Sequence, residues 1–255
     1  MVRPEYDEVV SGLRGAGCVF AEEEADILIE SASEPGDLVA MLARRVAGEP
    51  LEHIVGWVWF CGRRVAVEPG VFVPRRRTEF LANCAAALQP SRLLDMCCGC
   101  GAVGLSVDGV TELHAADLDA AAVECATRNL AAVGGTVHRG DLYDALPSEL
   151  LGSFDAIVVN APYVPTAHIE LMPREARLHE PRTALDGGED GARIHRLVAE
   201  GAPRWLTPGG HLLIESSAAL ADSTLRAVQD CGFRARVRTS DEFDAVVVIA
   251  SLSGT

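Results

Sequence analysis

From about Gln89 onward, short apolar runs alternate with alanine-rich stretches of helical spacing. The runs Arg92 to Met96, Glu112 to Ala116, Thr136 to His138, Phe154 to Val159 and His211 to Glu215 read as strands, which predicts a parallel sheet covered on both faces by helices. The last two runs, Phe233 to Arg238 and Asp244 to Ala250, are separated only by the polar stretch Thr239 to Phe243. A parallel connection needs a crossover of about a dozen residues, so these two strands should pair antiparallel. Upstream the pattern is different. Residues 4–47 read as short helices: Glu22, Glu23 and Glu24 load a first turn with negative charge ahead of Ala25, Ile27, Leu28 and Ile29. Pro35 and Gly36 should break the pattern before Leu38, Val39, Met41, Leu42 and Val46 resume it. From Trp57 to Val67 the spacing becomes strand-like, with Cys61-Gly62-Arg63-Arg64 as the turn of a hairpin. The expectation is an α/β fold with a mostly parallel seven-stranded sheet ending in an antiparallel hairpin, preceded by a small helical module.

Composition narrows the classes. At 255 residues the chain suits one mid-sized domain with an appendage. Apolar stretches such as Ala245 to Ala250 are strand-sized, so no membrane span is expected. The segment Met1 to Glu8 is acidic and lacks the apolar core of a secretory leader, which points to the cytoplasm. The net charge of −15 argues against a broad nucleic-acid surface. Basic residues are all arginine, and the run Arg75, Arg76, Arg77 reads first as a solvated loop, with a docking contact for an acidic partner as the alternative. The eight cysteines form no pair of CxxC units, so free thiols are expected. Cys97, Cys98 and Cys100 are too crowded to surround a tetrahedral ion, the histidines show no ligand spacing, and no metal is expected.

Gly99, Gly101 and Gly104 follow the first strand of the sheet and open a helix, where glycine lets the backbone turn sharply and approach a ligand. Taken literally this is GxGxxG, and Asp117 lies where a dinucleotide enzyme places its ribose-binding acid. A nicotinamide-dependent oxidoreductase is therefore one reading. Three acids favour S-adenosyl-L-methionine instead. Asp95 at the end of the first strand can hold the amino-acid end of that ligand or structure the loop around it, Asp117 can accept both ribose hydroxyls, and Asp141 after the third strand suits the adenine amine. Each residue alone is also an ordinary turn former or helix cap. Four successive strand ends bearing Asp, Asp, Asp and Asn point to one crevice.

The Asn is Asn160, in Asn160-Ala161-Pro162-Tyr163 directly after the run Phe154 to Val159. Its amide oxygen and the next carbonyl make two acceptors at one strand end, suited to the two hydrogens of a planar NH2 group. Pro162 stiffens the turn and Tyr163 supplies a flat wall. The same residue types also make plain strand-to-loop turns. An adenine amine in nucleic acid offers the same two hydrogens, and a non-catalytic binding protein keeping this fold is a third class.

The chain resembles the HemK/PrmC-like family of protein-glutamine N(5)-methyltransferases. The likeness rests on Gly48 to Gly56, Val67 to Arg75 followed by Thr78-Glu79, the glycine loop, Asn160 to Pro165, and Glu175 to Gly188, all in family order. Cys97 stands where the family has its first loop glycine, and Ala161 where it has a proline. Arg75-Arg76-Arg77 replaces Arg-Pro-x, and the N-terminal module is shorter than usual. The resemblance implies a helical substrate-docking domain over residues 1–52, a β-hairpin linker over 53–76 and a class I methyltransferase domain over 77–255. It implies S-adenosyl-L-methionine as cofactor, bordered by Phe72, Pro74, Arg75, Asp95, Cys97, Gly99, Gly101, Asp117, Leu118, Asp141, Leu142 and Asn160, with Glu79 nearby. It implies catalysis by Asn160, Ala161, Pro162 and Tyr163, with Glu180 and Pro181 at the substrate mouth. The implied partner is a protein with a glutamine-containing loop, such as a peptide-chain release factor; the oligomeric state is left open.

Overall fold

The computed structural model describes residues 4–252. Helices α1 (Tyr6–Gly15), α2 (Ala21–Ser31), α3 (Pro35–Val46) and α4 (Leu51–Val55) come first. Each presents one apolar stripe: Val9, Val10 and Leu13 on α1, Ala21, Ala25 and Leu28 on α2, Leu38 on α3 and Ile54 on α4 meet in one cluster. Such a core is small, and truncating Leu28 to alanine would cost about 3 kcal/mol. Pro35 does not break α3 but begins it. Proline suits a first helical turn because its missing N–H would have no partner there and its φ is already helical. Arg45 near the end of α3 ties the module together: its guanidinium bonds both oxygens of Glu24 and reaches Glu175, 130 residues away, at 3.0 Å.

Strands β1 (Trp57–Phe60) and β2 (Arg63–Ala66) form the hairpin. Its turn is only Cys61 and Gly62, both at positive φ, so Arg63 and Arg64 belong to the strand and not to the turn. Two-residue hairpins favour such left-handed pairs because their twist matches that of the strands.

The sheet proper holds β3 (Arg92–Met96), β4 (Glu112–Asp117), β5 (Thr136–Arg139), β6 (Phe154–Val159), β7 (Leu206–Ser216), β8 (Phe233–Ser240) and β9 (Ala245–Leu252). Their spatial order is β5-β4-β3-β6-β7-β9-β8. The first five are parallel, whereas β9 runs antiparallel to both β7 and β8. β7 starts five residues earlier than its apolar run indicates. A register jump between the pairs Phe154–Leu206 and Ala156–His211 absorbs Pro208, Gly209 and Gly210, a bulge that sequence pattern reads as a strand break.

Alternation decides which side chains face which layer. Leu93, Ala156 and Val158 join the cluster beneath α5 (Glu79–Ala86), α6 (Ala102–Leu105) and α7 (Ala120–Leu130). Leu94, Ile157 and Val159 join that beneath α9 (Arg193–Gly201) and α10 (Ala221–Asp230). A short α8 (Arg174–His179) lies in the long connection after β6. The central strands are buried on both faces, so their polar ends gather at the carboxyl edge, and the main cavity opens there between β3 and β6.

Candidate active site

The cavity is lined by Asp95, Cys97 and Gly99 from β3 and its loop, Asp117 and Leu118 after β4, Asp141 and Leu142 after β5, and Asn160 to Tyr163 after β6. Phe72, Pro74 and Arg75 close it from the segment after the hairpin, and Glu180 and Pro181 from the far loop. Two expected residues are elsewhere. Gly101 is behind the loop wall, at φ 77, where an added Cβ would meet Leu130 at 3.2 Å. Glu79 is outside the lining and opens α5.

The glycine loop is held by the acids it passes. Gly104 donates its backbone N–H to Asp95 Oδ2 at 2.8 Å, and Gly99 donates to Asp117 Oδ2 at 2.9 Å. Asp117 Oδ1 accepts from the Asp119 backbone at 2.9 Å. Each carboxylate oxygen of Asp117 thus has one lone pair engaged and one left for a ligand hydroxyl. Burial pushes Asp95 up to about 7, against the pull of the Gly104 N–H, and raises Asp117 as well. Cys97 adopts φ 58, left-handed backbone that glycine takes without cost. Burial raises the Cys97, Cys98 and Cys100 thiols, which makes them poor nucleophiles.

Asn160 donates from Nδ2 to Thr78 Oγ1 at 3.2 Å. Its Oδ1 and the Ala161 carbonyl accept no hydrogen bond among the described residues. With the nitrogen spent on Thr78, the amide oxygen is left on the other side. Tyr163 stands beside the Arg77 guanidinium, 5.9 Å from ring centre to Cζ, and burial pushes its hydroxyl up to about 12. Behind it, 6.3 Å between ring centres, His195 is buried with Nδ1 on Thr224 Oγ1 at 2.8 Å.

Two buried acids anchor the arginines of the crevice: Glu180, expected at the substrate mouth and found in the lining, and Glu215, which the sequence reading passed over. Glu180 contacts Arg75 Nη2 through Oε1, and the same guanidinium lies over Phe72. Glu215, near the end of β7, faces Arg77. The signal for Glu215 was a lone acid inside an apolar strand, where a charge persists only with partners.

The charge balance of the crevice selects its ligand. Asp95, Asp117, Asp119 and Asp141 face the cavity, while Arg75 and Arg77 are tied to Glu180 and Glu215. A cationic sulfonium and ammonium fit that surface; the pyrophosphate of a dinucleotide does not. The antiparallel β9 between β7 and β8 departs equally from the all-parallel sheet of dinucleotide-binding folds. Fold and crevice together define a class I S-adenosylmethionine-dependent methyltransferase.

Comparison with known proteins agrees. The methyltransferase small domain model matches residues 62–192. A release factor glutamine methyltransferase of Geobacter sulfurreducens is 35% identical over 209 residues, 78% of this chain and 72% of that protein. A 4-amino-L-phenylalanine/4-methylamino-L-phenylalanine methyltransferase of Streptomyces pristinaespiralis is 34% identical over 237 residues, 82% of this chain and 80% of that protein. Among solved structures, a Thermus thermophilus 16S rRNA N2 G1207 methyltransferase bound to AdoMet and guanosine shares the fold. Its TM-score is 0.52 at 19% identity, over 77% of this chain and 49% of that one. The chain belongs to the methyltransferase small domain family and, within it, to the HemK/PrmC-like protein-glutamine methyltransferases.

Proposed function

We propose that this protein methylates the side-chain amide nitrogen of a glutamine in a protein, with a peptide-chain release factor as the foremost candidate. One observation carries the reading: the Asn160 amide is anchored through its nitrogen to Thr78, beside an Ala161 carbonyl that accepts no hydrogen bond among the described residues. This pair offers two acceptors to one NH2 group.

Asp117 and Asp141 would hold the ribose and adenine of S-adenosylmethionine, and Asp95 its amino-acid end, with Gly99, Leu118 and Leu142 as walls. When bound, that cofactor supplies an electrophilic methyl group. The protein's task is then to make a poor nucleophile reactive, because an amide lone pair is shared with its carbonyl. Asn160 Oδ1 and the Ala161 carbonyl orient the nitrogen, which converts a bimolecular encounter into a positioned one. As positive charge builds on the nitrogen its N–H bonds become stronger donors, so both contacts tighten most in the transition state. The proton can leave after transfer, and no general base among these residues is needed. Tyr163 and Phe72 flank the space as flat walls, with Pro162 fixing the turn between Asn160 and Tyr163.

Helices α1 to α4 serve, in this reading, as the substrate-docking domain, with β1 and β2 as the linker. Arg45 connects that domain to Glu175 on α8, the helix that leads into Glu180 at the cavity rim. A second reading is favoured by a relative covered over 82% of this chain and 80% of its own: the aromatic amine of a modified amino acid presents the same two N–H groups. A competition assay separates them. Labelled methyl from S-adenosylmethionine should enter a release factor and leave free 4-amino-L-phenylalanine unlabelled. Transfer to the amino acid alone would reverse the assignment.

A further inference from the structure

The chain carries 37 acidic residues against 22 basic ones, yet one stretch of its surface is basic and unpaired. Strand β8 lies at the edge of the sheet and bears Arg234, Arg236 and Arg238 at alternate positions, all three exposed. Their cross-strand partners in β9 are Ser251, Ile249 and Val247 in that order. Opposed residues of an antiparallel pair point to one face. Ile249 and Val247 join the cluster beneath α5, so the three arginines stand on the α5 side of the sheet. The row continues beyond the strand. Arg238 lies over the Phe80 ring at 5.9 Å, Phe80 stacks on Phe243 at 6.3 Å, and Arg76 lies over Phe243 at 6.0 Å. Arg76 is exposed and directly precedes Arg77 and Thr78, which line the cavity. Four arginines thus run from beside the cavity rim along the free edge of the sheet.

Arg75 and Arg77 are each tied to a buried glutamate, whereas none of these four has an acidic partner among the described residues. The turn after β8 carries Asp241, Glu242 and Asp244, and none of them pairs with the row. Most of this acidic surface repels an acidic partner, so one basic row fixes where, and in which direction, such a partner can settle. Spacing sharpens the match. Side chains two apart on a strand are about 7 Å apart. An extended chain laid along the free edge has the same repeat, so acids at its alternate positions oppose all three arginines of β8 as cross-strand pairs. The outer edge of β8 also offers backbone N–H and C=O groups that no neighbouring strand takes among the described residues. Nucleic acid fits less well. Single strands are held by exposed aromatic platforms as well as by charge, and here Phe80 is 9% exposed while Phe243 is covered by Arg76.

We infer that Arg76, Arg238, Arg236 and Arg234 form a docking row for an extended acidic segment of the protein substrate, laid against β8 with its acidic residues at alternate positions. The inference rests on the proposed reading that the substrate is a protein, and adds the chemistry that protein carries away from its reactive amide. No member of the row lines the cavity, so the row acts on encounter and residence and leaves the chemical step alone. Arginine on an edge strand also deters pairing between copies of a chain. That role alone sets no order for the acids of a ligand.

The test uses the full chain and a fluorescent heptapeptide with glutamate at its second, fourth and sixth positions and threonine elsewhere, its binding read by anisotropy. The triple variant Arg234→Ser, Arg236→Ser, Arg238→Ser alters exposed side chains only, and a thermal melt checks its fold. Peptide binding should weaken about tenfold in that variant, and by a similar factor between about 0.05 and 0.5 M salt. A peptide of the same composition with its three glutamates consecutive should bind about fivefold more weakly. With a release factor as methyl acceptor, the triple variant should raise KM about tenfold and leave kcat unchanged. Absent peptide binding, equal binding by wild type and variant, equal binding of the two peptides, or an unchanged KM would each overturn the inference. So would a single-stranded DNA of equal charge that binds more tightly than the peptide and loses that binding in the variant. Row-dependent peptide binding beside a release factor that stays unmethylated would instead strike the glutamine reading and leave the docking row standing.

Discussion

Asn160 and Thr78 are 82 residues apart in sequence and joined by one hydrogen bond, Nδ2 to Oγ1 at 3.2 Å. That bond links the carboxyl end of β6 to the segment leaving the hairpin, so the acceptor pair depends on a residue outside its own motif. Replacing Asn160 with alanine removes one positioned acceptor and keeps the cofactor walls. Turnover should fall on the order of 100-fold, as with loss of a preorganised polar contact. Calorimetric affinity for S-adenosylmethionine should stay within about threefold, since the acids that would hold the cofactor are untouched.

Cys97 stands at φ 58 without glycine's freedom. Cys97→Gly should therefore raise stability by about 1 kcal/mol, read as a higher urea midpoint with an unchanged slope. A lower midpoint would mean that thiol packing outweighs backbone strain.

Asp95 ties pH to stability. Its carboxyl is pushed from 3.8 up to about 7 in the folded protein, chiefly by burial. Between those values the native state binds more protons than the unfolded chain, so stability falls as pH rises across that window. The loss is on the order of 4 kcal/mol at most. Asp117, Glu180 and Glu215, also raised by burial, act in the same direction. His195, lowered to about 4, acts in the opposite one because the folded state resists its protonation. The wild-type curve minus that of Asp95→Asn isolates the single group, and denaturant titrations from pH 4 to 8 should show that difference shrinking the variant's slope. A parallel curve would place the coupling elsewhere.

Arg45 should be the most costly surface-module charge to remove. Its side chain is 11% exposed and serves Glu24, Glu175 and the Glu49 carbonyl together. Arg45→Ala leaves a part-buried Glu24 unpaired and should cost about 3 kcal/mol. Arg14→Ala breaks only an exposed pair with Glu22 and should cost under about 0.5 kcal/mol. Thermal melts of the two variants give the comparison.

Much of this molecule was legible from periodicity. β3 and β6 fall on the residues their apolar runs mark, and the short Thr239 to Phe243 spacer announced the antiparallel β8 and β9. Legibility failed where a local rule met a tertiary one. Pro35 reads as a breaker but sits where a helix tolerates proline, and Pro208-Gly209-Gly210 reads as an end but is taken up in a bulge. At the site, residues on one motif were visible because a motif is contiguous. Thr78, Glu180 and Glu215 come from three separate segments, and their convergence appears only once β6 and β7 pair and the two loops fold over them. Gly101 and Glu79 show the converse, motif positions whose task is to shape the chain around the cavity from outside it.

An amide nitrogen is the methyl acceptor in the proposed reaction. Tandem mass spectrometry of a release factor incubated with the wild-type protein and labelled S-adenosylmethionine locates the label on a single atom class. The expected result is one labelled glutamine, modified at its side-chain nitrogen, with the rate of labelling on the order of 100-fold lower in Asn160→Ala. Label on an oxygen, on a main-chain nitrogen, or retained at wild-type level by Asn160→Ala would contradict it.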